Sequence, residues 1–221
     1  MKLVCGIDEA GRGPVLGSMF VGGVAIPEER LEELEGIGLK DSKKLSDKKR
    51  RELEPRIRVL GHSFSVREIT ADEIDELSEI MSLNVIEIKA FAKIIEELEP
   101  EKAIIDLPEP DGEKFARKIK KQLPESFSEM EIVAEHEADD RYPVVSAASI
   151  LAKNAREDHV EKLRKKYGRD FGSGYPHDTE ATGFIKEFYR REGVFPDEAR
   201  ESWSTCRRMV EEEEQSSIFD F

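Results

Sequence analysis

The sequence has few cysteines and no long apolar run. Cys5 and Cys206 lie too far apart in a chain of 221 residues to indicate a disulfide framework, and they lack the clustering of a zinc site. No apolar run reaches the roughly 18 residues that a membrane-spanning helix needs. The N-terminus shows no apolar stretch followed by a small-residue cleavage site. We therefore expect a cytoplasmic protein without a membrane segment.

Positive charge is also scarce, because 35 Lys and Arg residues face 49 Asp and Glu residues and the formal net charge is −14. An acidic surface repels polyanions, so the total charge argues against nucleic-acid binding. The distribution argues the other way. Nine basic residues against four acidic ones fall between residues 40 and 58, and a second basic stretch covers 153–169. Each stretch is either a solvated charged face or a contact surface for phosphates.

The apolar pattern predicts strands first and an alternation of helices and strands later. The predicted strands are 2–8, 14–26, 61–69, 102–107 and 130–135. The predicted helices are 28–35, 46–54, 71–79, 82–98, 111–123, 143–167, 179–192 and 197–214. Ser46 suits an N-cap, Pro55 an end, and Pro143 a first helical position. This order predicts an α/β fold, with a mixed sheet covered by helices and a helical C-terminal portion.

Some carboxylates stand out because they end predicted strands or directly precede a helix. They are Asp8, Glu9, Asp106 and Asp139. Apolar residues flank Asp8 and Asp106, and a buried carboxylate is costly unless it is paired or holds a metal ion. For each acid, a helix cap or an exposed charge is the alternative interpretation. Asp8 and Glu9 also pose a geometric difficulty, because neighbouring strand residues point to opposite faces.

Carboxylates that converge would repel one another unless divalent cations lie between them. Oxygen ligands select hard ions such as Mg²⁺ or Mn²⁺. Two such ions about 3.5–4 Å apart can activate water and stabilise the leaving oxygen of a phosphodiester. The pattern therefore indicates phosphodiester hydrolysis.

A glycine turn, Gly11-Arg12-Gly13, directly follows the first two acids. Glycine tolerates positive φ and lets a backbone approach a ligand closely. The segment superficially resembles a dinucleotide-binding loop, but a β-rich stretch follows where a phosphate-binding helix would begin. A plain tight turn is the other alternative.

Several segments taken together resemble the ribonuclease HII family, in its archaeal form. They are GIDEAGRGPVLG at 6–17, LKDSKKLS at 39–46, IID at 104–106, AEHEADDRYPVVSAASILAK at 134–153, GSGYPHD at 172–178 and ESWSTC at 201–206. They occur in the order and spacing of the family and span about residues 2–206. Each segment alone is a weak signal, and the specificity comes from the whole set.

The resemblance implies a ribonuclease H-like core with a mixed five-stranded sheet flanked by helices. It implies a catalytic core over 1–167, a helical region over 168–214 that completes the substrate cleft, and a flexible tail over 215–221. The four acids Asp8, Glu9, Asp106 and Asp139 would be both the catalytic residues and the ligands of two Mg²⁺ or Mn²⁺ ions. The substrates would be RNA–DNA hybrids and duplex DNA that contains ribonucleotides. Cleavage would fall on the 5′ side of a ribonucleotide and leave a 3′-hydroxyl and a 5′-phosphate.

The resemblance also assigns substrate-binding residues. The turn formed by Gly11, Arg12 and Gly13 would contact the ribose 2′-hydroxyl through its backbone, which is the group that distinguishes RNA from DNA. Tyr175 would pack on the sugar of the following deoxynucleotide, and its alternative is a loop tyrosine that anchors Pro176. Further residues would hold phosphates without reading the base sequence. They are Lys43, Lys44, Ser46, Ser146, Ser149 and Lys153.

The C-terminal peptide resembles a sliding-clamp-binding motif, with Gln215, an aliphatic residue at Ile218 and an aromatic residue at Phe221. Such peptides place an aliphatic and aromatic plug in an apolar pocket. A disordered apolar tail is the alternative. We expect a monomer, since no segment resembles an interface helix.

Two other functions remain open from the sequence. One is a different nuclease with the same core, such as a DNA resolvase, which would cut all-DNA structures. The other is a non-catalytic replication adaptor that binds the clamp, for which the strand-end acids would be unnecessary.

Overall fold

The computed structural model describes residues 2–39, 45–107 and 111–219, the last four of these through their backbone only. The strands are β1 (Leu3–Ala10), β2 (Met19–Pro27), β3 (Ser63–Ile69), β4 (Lys102–Asp106) and β5 (Glu131–Glu135). The helices are α1 (Leu31–Glu35), α2 (Asp47–Leu60), α3 (Ala71–Ser78), α4 (Leu83–Leu98), α5 (Gly112–Lys120), α6 (Ala138–Arg141), α7 (Pro143–Tyr167), α8 (Thr179–Glu192) and α9 (Ser204–Phe219).

The strands form one five-stranded mixed sheet in the order β3-β2-β1-β4-β5. Strand β1 pairs antiparallel with β2 and parallel with β4, and β4 pairs parallel with β5. The predicted α/β fold, a mixed five-stranded sheet flanked by helices, is confirmed. Because parallel strands end at the same edge of a sheet, the C-terminal ends of β1, β4 and β5 meet at one edge.

Glycines in the central strands let helices pack directly on the sheet. A Cβ atom on Gly6 would lie 2.2 Å from the Val144 carbonyl oxygen, and one on Gly22 would lie 2.4 Å from the Ala148 carbonyl oxygen. Helix α7 therefore approaches β1 and β2 at backbone distance. A Cβ atom on Gly23 would instead meet Ile94 of α4 at 2.3 Å. Neighbouring strand residues face opposite sides, so α4 covers the other face of the sheet.

The chain forms two compact units, and each is built from separate stretches of sequence. The first comprises Met1–Ala10, Phe20–Glu68 and Asn84–Arg156 and contains the sheet. The second comprises Gly11–Met19, Ile69–Leu83 and Glu157–Phe221. The second unit has its own aromatic-rich core, in which the rings of Phe171 and Phe184 stack with centroids 5.6 Å apart.

Several element boundaries differ from the predictions. Helix α2 begins after the predicted cap Ser46 but continues through Pro55 to Leu60, although Pro removes one helical hydrogen bond. Leu53 and Ile57 flank Pro55 and are both fully buried, and their packing stabilises the helix across the break.

The second strand begins at Met19 and not at residue 14. Residues 14–18 bond elsewhere instead, since the Val15 and Leu16 N–H groups donate to the Gly174 carbonyl at 2.8 and 3.2 Å. Helix α9 begins at Ser204 and not at 197, and its backbone stays helical to Phe219, past the predicted end at 214. Among the described residues, no helix combines the length and apolar character that crossing a bilayer requires.

Candidate metal-binding active site

Three of the four predicted acids meet at the edge of the sheet where the parallel strands end. One carboxylate oxygen each from Asp8, Asp106 and Asp139 lies within 4.8 Å of the other two. Asp8 is 5% exposed and Asp139 is 2% exposed, whereas Asp106 is half-buried. Residues far apart in sequence thus place three carboxylates close enough to share a cation.

The backbone explains why these side chains converge. Ile7 of β1 is paired with Ile105 of β4, so the next residue on each strand, Asp8 and Asp106, comes to the same edge. Oδ1 of Asp106 also accepts a hydrogen bond of 2.7 Å from the Ala138 N–H. That bond fixes Ala138, the first residue of α6, and Asp139 is the residue that follows it in the helix.

The connection into α6 uses an unusual backbone conformation. Glu137 has φ 55°, in the left-handed region, and it precedes the first residue of α6. A non-glycine residue in this region is uncommon and costs free energy. The hydrogen bond between Asp106 and Ala138 stabilises this turn. The left-handed conformation of Glu137 is therefore part of the backbone that positions the site.

Electrostatic repulsion within the cluster is visible in the pKa of Asp8. Burial first, and the carboxylates of Asp106 and Asp139 in addition, raise that pKa from 3.8 to about 7. The nearby Ser149 hydroxyl and the Lys153 ammonium act in the opposite direction. At neutral pH the cluster therefore carries its negative charge at a cost, which a divalent cation would remove.

The chemistry of these donors fits a hard cation. All three side chains offer carboxylate oxygens, the ligands of Mg²⁺ and Mn²⁺, and no sulfur or imidazole ligand is part of the group among the described residues. Glu9 is not a member of this group. Its side chain is half-buried, and its N–H donates to Oδ1 of Asp8 at 2.8 Å.

The predicted phosphate-binding residues have different environments. Ser146 is 1% exposed and donates to the Leu39 carbonyl at 2.7 Å, and Ser149 is fully buried beside Asp8. Both side chains are buried in this structure, and their contact with a phosphate stays a prediction. Ser46 accepts a hydrogen bond from the Lys49 N–H and caps α2.

Lys153 is half-buried, and its positive charge lies near enough to Asp8 to lower the pKa of the Asp8 carboxyl. It is thus a cation beside the acid cluster, as a phosphate-binding residue would be. Lys43 and Lys44 lie outside the described residues.

The glycine turn and the tyrosine loop meet in the second unit. A Cβ atom on Gly13 would lie 3.2 Å from Cε1 of Tyr175, so the tyrosine ring packs directly against this glycine. Gly11 has φ 82° and Gly174 has φ 79°, both in the left-handed region that favours glycine. Two segments that lie about 160 residues apart in the sequence thus form one surface.

One residue in this region, Arg200, was not among the site residues predicted from the sequence. Arg200 is fully buried, and its guanidinium donates to the carbonyls of Gly11, Arg12 and Gly17 at 2.6, 2.8 and 2.9 Å. No motif singles out this arginine, because its partners are main-chain carbonyls far away in the chain.

The structure describes the C-terminal peptide only in part. Gln215 is exposed on α9, and the backbone of the helix continues to Phe219. The side chain of Ile218 and the whole of Phe221 lie outside the described part of the chain.

Comparison with known proteins gives a consistent result. The sequence model of the family described as Ribonuclease HII matches residues 5–206. A protein of Methanosarcina barkeri named Ribonuclease HII is 43% identical over 215 residues, which cover 95% of this chain and 96% of the relative. The crystal structure of the ribonuclease H2 from Pyrococcus horikoshii OT3 superimposes with a TM-score of 0.88 at 40% identity, covering 95% of this chain and 98% of that one.

A second solved structure is that of the PCNA:RNase HII complex from Archaeoglobus fulgidus. Its matching chain gives a TM-score of 0.82 at 38% identity, covering 91% of this chain and 95% of that one. These similarities extend over nearly the full length of the chain and include the segments that carry the acids.

Proposed function

Because the chain belongs to the ribonuclease HII family and is a ribonuclease H, we propose that it cuts the RNA strand of RNA–DNA hybrids and also cuts on the 5′ side of ribonucleotides embedded in duplex DNA. The observation that carries this proposal is the group of three carboxylates, Asp8, Asp106 and Asp139, within 4.8 Å of one another. A water oxygen would attack phosphorus and the bond to the 3′ oxygen would break. The products would be a 3′-hydroxyl and a 5′-phosphate.

The cofactor we propose is Mg²⁺ or Mn²⁺, with two ions during catalysis. Asp8, Asp106 and Asp139 would hold them, and Glu9, next to Asp8, would complete the set. When bound, such ions activate the water and stabilise the negative charge of the leaving oxygen. The protein itself holds the carboxylates in place, through the strand register and the hydrogen bond from Ala138 to Asp106.

Recognition of the ribonucleotide is assigned to the backbone of the glycine turn and to Tyr175. The 2′-hydroxyl both donates and accepts hydrogen bonds, and it is the group by which a protein distinguishes RNA from DNA. The tyrosine ring packs beside Gly13, where it could lie against a sugar. Lys153, and Lys43 and Lys44 in the basic stretch, would contact phosphates and set the position of the duplex.

A panel of end-labelled duplexes of one base sequence tests this proposal. The members are an RNA–DNA hybrid, a DNA duplex with one ribonucleotide, and an all-DNA duplex, each with Mg²⁺, with Mn²⁺ and with a chelator. We expect cuts in the first two only, on the 5′ side of the ribonucleotide, and only with metal. Cleavage of all-DNA substrates would favour a different nuclease, and absence of cleavage under every condition would favour a non-catalytic adaptor.

We also propose that the C-terminal peptide binds a sliding clamp through Gln215, Ile218 and Phe221. Support comes from the peptide itself and from the Archaeoglobus fulgidus relative, which is 38% identical and whose structure is that of a PCNA:RNase HII complex. A pull-down with the clamp, using the full chain and a chain without residues 215–221, tests the idea. Equal binding by both chains would refute it.

A further inference from the structure

Arg200 occupies an unusual place, since a fully buried guanidinium binds main-chain carbonyls of a surface turn. Nε donates to Gly17 at 2.9 Å, and the two terminal nitrogens donate to Arg12 at 2.8 Å and to Gly11 at 2.6 Å. The Arg200 N–H also donates to the Val15 carbonyl at 2.8 Å. One residue therefore holds the segment from Gly11 to Gly17 at four carbonyls.

These contacts determine which way the peptide groups of the turn face. In a trans peptide the C=O and the N–H point in opposite directions. The carbonyls of Gly11 and Arg12 both point at Arg200, so the N–H groups of Arg12 and Gly13 both point away from it. Gly13 is exposed and Arg12 is half-buried. Two successive N–H groups that face the same way form a concave donor pair suited to an oxygen ligand.

We propose that Arg200 is a positioning residue that orients the glycine turn so that its N–H groups can recognise the 2′-hydroxyl of a ribonucleotide. The inference rests on the proposed function and adds the residue on which selectivity for a ribonucleotide depends. Arg200 does not touch the substrate itself, because its side chain is buried.

The chemistry of arginine explains why this residue type is present. Its planar guanidinium offers five N–H donors in a fixed fork, whereas a lysine ammonium is a compact point charge on a flexible stem. The fork holds three carbonyls in one fixed arrangement, whereas an ammonium on a flexible stem does not impose a fixed arrangement on them. Burying a charge is costly, so an apolar residue would serve better if this position needed only to be filled.

Trp203, the one tryptophan of the chain, lies beside this arrangement. The guanidinium carbon of Arg200 is 5.0 Å from the centroid of the Trp203 ring. A cation at this distance interacts with the ring and affects its surroundings. Tryptophan emission is therefore a local reporter of the state of Arg200 in the unmodified protein.

Arg200→Lys tests the proposal, with Ile185→Ala as a control for lost packing, because Ile185 is fully buried in the apolar core of the same unit and its side chain cannot donate a hydrogen bond to the turn. Affinity is measured by fluorescence anisotropy in a chelator, so that no cleavage occurs, for a one-ribonucleotide duplex and an all-DNA duplex of the same base sequence. Circular dichroism and melting curves confirm that each variant is folded at the assay temperature.

The selectivity ratio is the affinity for the ribonucleotide duplex divided by the affinity for the all-DNA duplex. We expect Arg200→Lys to lower this ratio at least tenfold through weaker binding of the ribonucleotide duplex. The affinity for the all-DNA duplex should stay within twofold of the wild-type value. The Ile185→Ala variant should melt at a lower temperature and keep the wild-type ratio. A folded Arg200→Lys protein with the wild-type ratio would overturn the proposal. A wild-type protein that does not distinguish the two duplexes would refute the proposed function instead.

A measurement on the wild-type protein covers the case in which Arg200→Lys does not fold. Trp203 emission is recorded while each duplex is added to saturation. We expect the ribonucleotide duplex to change the emission at least twice as much as the all-DNA duplex, because loading the two N–H groups alters the carbonyls that Arg200 holds. Equal changes would overturn the proposal.

Discussion

Replacing Asp8 by Asn should make the metal-free protein more stable at alkaline pH. Burial and the neighbouring Asp106 and Asp139 raise the pKa of Asp8 from 3.8 to about 7. At about 1.4 kcal/mol per pH unit, ionising this carboxyl in the folded protein costs up to about 4 kcal/mol. The amide of Asn is neutral but not a perfect replacement, so we expect a net gain of roughly 1–3 kcal/mol at pH 8.

The sign of the pH dependence follows from the direction of the pKa change. Because the folded protein holds the Asp8 proton more tightly than the unfolded chain does, the contribution of Asp8 to stability is fully present below pH 3.8. It declines as the pH rises and is lost once the pH passes about 7. The advantage of Asp8→Asn should therefore be absent near pH 4 and largest near pH 8.

Urea denaturation in a chelator, at pH 4, 6 and 8, measures this effect. Asp140→Asn is the matched control, since it removes the same charge from an exposed residue next to Asp139, and it should change stability by less than about 0.5 kcal/mol. Adding Mg²⁺ should stabilise the wild type more than Asp8→Asn. If Asp8→Asn gave the same difference from wild type at every pH, the electrostatic account of the cluster would be refuted.

Further predictions concern packing, a buried hydroxyl and the tyrosine. Gly6→Ala should cost about 3 kcal/mol or more in urea denaturation, because its Cβ would lie 2.2 Å from a main-chain oxygen of α7. Gly183→Ala, inside α8 and with open space around it, should instead stabilise the protein by about 0.5–1 kcal/mol. Ser146→Ala should cost about 1–3 kcal/mol, because the Leu39 carbonyl loses its donor, and the affinity for an all-DNA duplex should not change. Tyr175→Ala should weaken binding of the ribonucleotide duplex about tenfold in the anisotropy assay, and Tyr175→Phe, which keeps the ring, should not.

Each of these predictions has a result that would contradict it. A Gly6→Ala protein as stable as wild type would mean that α7 does not lie at backbone distance from β1. Weaker duplex binding by a folded Ser146→Ala protein would favour the prediction that Ser146 contacts a phosphate. Equal losses for Tyr175→Ala and Tyr175→Phe would assign the effect to the hydroxyl and not to the ring.

The elements with strong local signals were predicted well from the sequence. Helices 143–167 and 179–192 have the bounds that the structure shows, and the first begins at Pro143 as expected. Local signals failed where tertiary packing decides the outcome. Helix α2 continues through Pro55 because buried residues on both sides stabilise it. Helix α6 has four residues, about one helical turn, which is too short for the apolar spacing to repeat, so it left no pattern to detect.

The candidate site was predictable in part for a similar reason. Asp106 ends β4, Asp8 lies close to the end of β1 and Asp139 lies shortly before α7, and the parallel pairing of β1 with β4 brings Asp8 and Asp106 together. The burial of Ser146 and the role of Arg200 depend on contacts with main-chain carbonyls more than 100 residues away. Any residue type can supply a main-chain carbonyl, so no sequence motif reveals such a contact.

Anomalous scattering from a manganese-soaked crystal of the protein with a one-ribonucleotide duplex tests the central claim most directly. The account predicts manganese peaks between the carboxylates of Asp8, Asp106 and Asp139, next to the phosphate on the 5′ side of the ribonucleotide. Peaks elsewhere, or no peak at this cluster in a crystal that contains the duplex, would contradict it.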